Sequence, residues 1–111
     1  MSQMDLAALE RAAGRAAALL RALGNEHRLL ILCQLAAGER PVGDLVEAVG
    51  LSQSAVSQHL ARLRADGVVA TRRHAQTIFY SLASDGVRRV IATLYEIYCP
   101  GAARCRPARK H

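Results

Sequence analysis

The chain has no tryptophan, one phenylalanine and three tyrosines among 111 residues, so it offers little aromatic surface on which single-stranded bases would stack. Long apolar runs are also missing. None is longer than Leu29 to Cys33, which falls far short of the roughly 20 residues that span a bilayer. No basic N-terminal region leads into an uninterrupted apolar segment, so the reading is a chain without a secretory leader, cytoplasmic and not membrane-bound. Three cysteines in a reducing compartment do not make a disulfide framework. Acidic residues are few: nine Asp and Glu face 15 Lys and Arg, a net charge of +6 and a pI near 10.0. That imbalance suits a polyanionic partner, and the cations are almost all arginine, whose fork matches phosphates and guanine edges. The length fits one domain with a modest core, placed at residues 1–100, followed by a flexible basic tail over 101–111.

What is present centres on Leu51 to Val69. Ser52 suits a helix N-cap, and Val56, Leu60 and Leu63 recur at helical spacing, a stripe that would dock on a core. The other face carries Gln53, Ser54, Ser57, Gln58 and Arg62, short or forked hydrogen-bonding groups of the kind that read base edges and phosphates. Any surface helix is polar outside, but here small polar residues crowd the first turns where Glu/Lys pairs would be usual. Gly67 fits the left-handed position that ends the helix.

Around that stretch the elements fall in order. Met4 to Leu23 is a long helix with an apolar seam of Leu6, Leu9, Ala13, Ala16, Ala17, Leu20 and Leu23. Asn25 caps a second helix, nearly all apolar from Arg28 to Leu35 and ended by Gly38, that belongs at the domain centre. Pro41 opens a short helix closed by Gly50, which with the Ser52 helix makes a helix-turn-helix. Val68 to Arg73 and Thr77 to Leu82 read as a hairpin with Arg72, Arg73 and His74 at its tip, where a wing meets phosphates or the minor groove. Ser84 begins a last helix with Val87, Val90, Ile91, Leu94, Ile97 and Tyr98 on one face. The fold class is therefore mainly α with a β-hairpin wing, a winged helix-turn-helix of order ααααββα. Apolar faces left over on the first and last helices imply a homodimer reading a palindromic double-stranded operator, with half-sites roughly 34–36 Å apart.

Asn25-Glu26-His27-Arg28-Leu29, Pro41-Val42-Gly43-Asp44-Leu45, Leu51 to Leu60 and Thr77-Ile78-Phe79-Tyr80-Ser81-Leu82 together resemble the ArsR/SmtB family of bacterial repressors over residues 6–99. Cys33 in Ile31-Leu32-Cys33 and Cys99 after Ile97-Tyr98 resemble the HlyU, BigR and SqrR branch. That resemblance implies a redox or inducer-sensing role for Cys33 and Cys99: reactive sulfur species join them through a disulfide or polysulfide, and DNA affinity falls. On composition alone the blander reading prevails for each cysteine, with Cys33 a small core hydrophobe and Cys99 and Cys105 incidental.

Two metal sites used elsewhere in the family are not expected. The third helix has no cysteine, and the last has Asp85 but no histidine. A metalloid site stays open, because Cys99 and Cys105 with Cys33 supply three soft ligands for trivalent arsenic. His59 lies on or beside the reading face as a DNA contact, and His27 at the edge of the apolar run. His27 and Cys33 lack an oxyanion site and an orienting third group, so no catalytic residues and no cofactor are assigned. An anti-silencing activator and a basic protein–protein adaptor are the other functional classes the residues permit.

Overall fold

The computed structural model describes residues 5–101. Its order is α1 (Leu6–Leu23), α2 (Glu26–Ala36), β1 (Arg40–Pro41), α3 (Val42–Val49), α4 (Gln53–Ala65), β2 (Val69–His74), β3 (Thr77–Leu82) and α5 (Asp85–Tyr98). This is a winged helix-turn-helix. The difference from the expected order is β1, which pairs antiparallel with β3 and makes the sheet β1-β3-β2. A strand of two residues has no alternation to read, and its partners Tyr80 and Phe79 lie far along the chain.

Local chemistry sets the helix boundaries. Asp5, Asn25, Ser52 and Ser84 each accept a hydrogen bond from the backbone N–H three residues on, at 3.0–3.2 Å, satisfying donors that the first turn leaves unpaired. The expected start at Met4 lies outside the described residues. Gly67, at φ 75°, ends α4 with the N–H of Val68 on Leu63 O at 2.9 Å and its own N–H on Arg64 O at 3.0 Å, a Schellman closure. That closure engages Val68, so β2 begins one residue later than expected. Gly50, at φ 72°, closes α3 the same left-handed way and makes the tight turn into α4.

The α2 helix lies at the centre, against α1, α3, α4, α5 and β3. Ile31, Leu32 and Leu35 from α2, Leu45 from α3, and Val56, Leu60 and Leu63 from α4 are fully buried together. Two helix ends are closed by arginines: Arg28 Nε donates to Ala22 O at 2.7 Å behind α1, and Arg88 Nη1 donates to Ala36 O behind α2. Part of the basic surplus thus serves the fold.

Helix α1 buries only Ala22 and Leu23. Leu6, Leu9 and Leu20 of its seam are 68%, 48% and 65% exposed, and Ile97 and Tyr98 at the end of α5 are 59% and 77% exposed. Apolar side chains in such numbers on two helices leave a surface suited to a partner. Among the described residues, no helix is long and apolar enough to cross a membrane.

Candidate nucleic-acid interface

Burying Val56, Leu60 and Leu63 fixes the rotation of α4. At 100° per residue, Ser54 and Gln58 then lie opposite the buried stripe, with Gln53 and Ser57 on one flank and Arg62 on the other. All five are exposed. Arg62 makes one contact at 3.3 Å to Asp66, an exposed i,i+4 pair that contributes little. The small side chains of Ser54, Ser57 and Ala61 let the backbone come close to a groove wall.

His59 sits at the edge of this face, half-buried, its ring centroid 6.1 Å from that of His27 at the start of α2. Partial desolvation, then the charges of Arg28 and His27, hold its pKa below the ordinary 6.5. Its ring thus turns toward the α2–α4 junction and flanks the groups opposite the core. The folded state disfavours protonated His59, so the unfolded chain binds more protons in the interval below pH 6.5, and stability declines as pH falls through that interval. We expect the urea midpoint to drop on acidification from pH 7 toward 5, and His59→Gln to flatten that decline. An equal pH dependence in the variant would remove His59 as its source.

The wing separates two residues that sequence had grouped. Neighbouring residues of a strand point to opposite faces, so Arg72 and Arg73 cannot face the same way. Arg73 pairs across the hairpin with Ile78, in the row that continues through Thr71–Tyr80 to the buried Val69–Leu82 pair. It is exposed, on the face that packs toward α4, and no ion pair holds it among the described residues. Arg72 pairs with Phe79 on the opposite face, where its guanidinium meets Glu39: Nε to Oε2 at 3.0 Å and Nη2 to Oε1 at 2.7 Å. That bidentate contact lowers the Glu39 pKa and raises that of Arg72. His74, expected in the tip loop, is the last residue of β2 and pairs with Thr77; the turn itself is Ala75-Gln76. Glu39 had no signal in the sequence, because 33 residues separate it from Arg72.

Cys33 lies half-buried on α2, and Cys99 caps the C-terminus of α5, the helix packed on α2. Cys99 is a free thiol. The two are therefore not joined to each other here. Cys105 lies outside the described residues, as does the tail assigned to 101–111 apart from Gly101. Among the described residues, no three His, Cys, Asp or Glu side chains are grouped to hold a metal ion.

A two-helix reading unit with a basic hairpin beside it is the architecture of a DNA-binding regulator. Residues 25–71 match the family described as bacterial regulatory protein, arsR family. Transcriptional activator HlyU of Vibrio cholerae is 50% identical over 96 residues, covering 86% of this chain and 89% of that one. Its reduced form has been solved; it superposes with a TM-score of 0.77 at 50% identity, over 82% of this chain and 96% of that one. The transcriptional repressor BigR from Xylella fastidiosa superposes with a TM-score of 0.80 at 38% identity, covering 86% and 98%. A homodimeric winged helix-turn-helix domain from Mycobacterium bovis gives 0.73 at 32% identity, covering 86% and 87%. The chain belongs to the arsR family of bacterial regulatory proteins. It is a DNA-binding transcription regulator, not an enzyme.

Arg73→Ala should weaken binding to all duplexes and shallow the salt dependence by about one unit of slope per wing, since each lost phosphate contact changes it by about 0.9. Gln58→Ala should leave that slope alone and relax sequence preference. Binding measured against salt on two unrelated duplexes separates the two, and an unchanged slope for Arg73→Ala would take the wing off the phosphates.

Proposed function

We propose that the chain is a cytoplasmic homodimeric repressor, its operator a two-fold duplex read by α4 and the wing, and its release triggered by sulfur chemistry at Cys33 and Cys99. In this reading Gln53, Ser54, Ser57 and Gln58 meet base edges, Arg62 and Arg73 meet phosphates, and His59 and His74 flank them. Residues 1–100 form the working domain and 101–111 a basic tail. The observation that carries the switch is that two cysteines sit on the central helix and on the end of the helix packed against it, so that a bond between them would tie the reading unit to the face left open for a partner.

The chemistry is thiolate exchange. One cysteine thiolate attacks the outer sulfur of an organic persulfide, taking that sulfur and releasing the organic thiolate; the second thiolate attacks the new protein persulfide, closing a disulfide and expelling hydrosulfide. A further sulfur transfer before closure gives a longer bridge, which tolerates a wider separation than the roughly 4.4–6.8 Å between Cα atoms that a direct disulfide requires.

The test begins with fully reduced protein, treated separately with organic persulfide, hydrogen peroxide or arsenite, with peptide mass spectrometry and duplex binding read together. A Cys33–Cys99 link with added sulfur and a loss of affinity of about 5–150-fold is the expected outcome, absent in Cys33→Ser and Cys99→Ser. Full DNA affinity in the linked protein would overturn the switch. The metalloid reading rests on Cys33, Cys99 and Cys105 as three soft thiolate ligands in one chain. Arsenic held by three thiols and lost in Cys105→Ser would establish that reading instead. HlyU is named an activator and BigR a repressor, so the sign of regulation follows from where the site lies. Footprinting over the polymerase site supports repression, and displacement of a bound silencer elsewhere supports anti-silencing.

A further inference from the structure

We propose that Glu39 and Arg72 form a latch that sets the pose of the wing, making Arg72 a positioning residue for DNA binding and leaving Arg73 as the wing's phosphate contact. The geometry assembles across the whole sheet. Phe79 of the central strand has Pro41 of β1 on one side and Arg72 of β2 on the other. By strand alternation, Glu39, two residues before Pro41, shares that face. The Arg72 guanidinium is held in plane by both carboxylate oxygens of Glu39, at 3.0 and 2.7 Å, and its central carbon lies 5.0 Å from the centre of the Phe79 ring. A fork gripped by two oxygens and resting near an aromatic ring has lost the freedom that a mobile exposed arginine keeps.

The anchor on the other side is itself fixed. Glu39 follows Ala36 by three residues, and the Ala36 carbonyl accepts from Arg88 of α5. The hairpin is thereby tied to the end of the central helix, at a point that a free two-stranded ribbon would not reach. Neutralised by Glu39 and turned away from the Arg73 face, Arg72 adds direction to the wing while its charge is spent inside the protein. This inference rests on the duplex-binding role of the family and is independent of the cysteine chemistry.

The test compares wild type, R72E and the charge-swapped R72E/E39R, all with the same duplex selected by the wild-type protein from a random-sequence pool. Net charge is identical in wild type and the double variant, so electrostatic steering cancels. We expect R72E to lose roughly fivefold in affinity, the upper range for an exposed pair. The swap should return binding to within about twofold of wild type with an unchanged salt slope. In protein without DNA, backbone relaxation of the wing amides should show extra motion in R72E and wild-type order in the swap. A double variant as weak as R72E, with the slope reduced by about one per wing, would make Arg72 a phosphate contact and overturn the latch. Wing order equal in all three proteins would overturn it too. Wild-type protein that selects no duplex would instead count against the DNA-binding reading itself.

Discussion

Leu60→Ala should cost about 2–5 kcal/mol of folding stability and remove operator binding at any temperature where the variant is partly unfolded. Leu60 is fully buried on the inner face of the reading helix, in one cluster with Ile31, Leu32 and Leu35 of α2 and Leu45 of α3. Its truncation leaves a cavity at the joint that fixes the rotation of α4, and that rotation is what aims Ser54 and Gln58 outward. A single domain has about 5–15 kcal/mol in all, so this one change takes a large fraction. The measurement is a urea midpoint together with duplex affinity well below that midpoint. Gln58→Ala on the opposite side of the same helix is the control, expected to stay within about 0.5 kcal/mol of wild type. Near-native stability in Leu60→Ala would mean that the α2–α4 contact does not hold the reading helix in place.

Most of the fold was legible because its signals are local. Asn25, Ser52 and Ser84 were expected to begin helices and do so with side-chain caps, and Gly50 and Gly67 take the left-handed conformations that end them. The apolar stripe Val56, Leu60, Leu63 is the buried side of α4. What escaped the sequence depends on pairing between distant segments. The strand β1 exists only because β3 runs beside it, and the Glu39–Arg72 contact joins residues 33 positions apart. Placing Arg72, Arg73 and His74 together at the wing tip treated three consecutive residues as one patch. Strand alternation and the register Arg72–Phe79, Arg73–Ile78 put the first two on opposite faces. His59, expected on or beside the reading face, lies at its edge; the part that escaped the sequence is the neighbouring ring of His27, which comes from another helix.

The proposed homodimer leads to the second large effect. The first helix runs for 18 residues, yet its buried residues are Ala22 and Leu23 at its C-terminal end, while Leu9 and Leu20 stay 48% and 65% exposed. At helical spacing Leu6, Leu9, Ala13 and Leu20 form one continuous ridge, turned away from the side that carries Ala22. Ile97 and Tyr98 at the end of α5 extend the apolar area. A ridge of leucine on a helix that the core does not need is best buried against a second copy, which for a DNA reader also doubles the contact. Leu9→Glu with Leu20→Glu should therefore give a folded monomer, because neither residue belongs to the buried cluster. Operator affinity should fall on the order of 10²–10⁴-fold, the loss incurred when a second half-site is no longer tethered to the first. Sedimentation of both proteins, with binding to a duplex carrying one or two half-sites, measures each part. Wild-type protein should discriminate strongly between those duplexes and the variant should treat them nearly alike. A double-Glu variant that still sediments as a dimer would place the two-fold seam elsewhere, and one that is monomeric but keeps its full preference for two half-sites would show that the reading heads do not act as a pair.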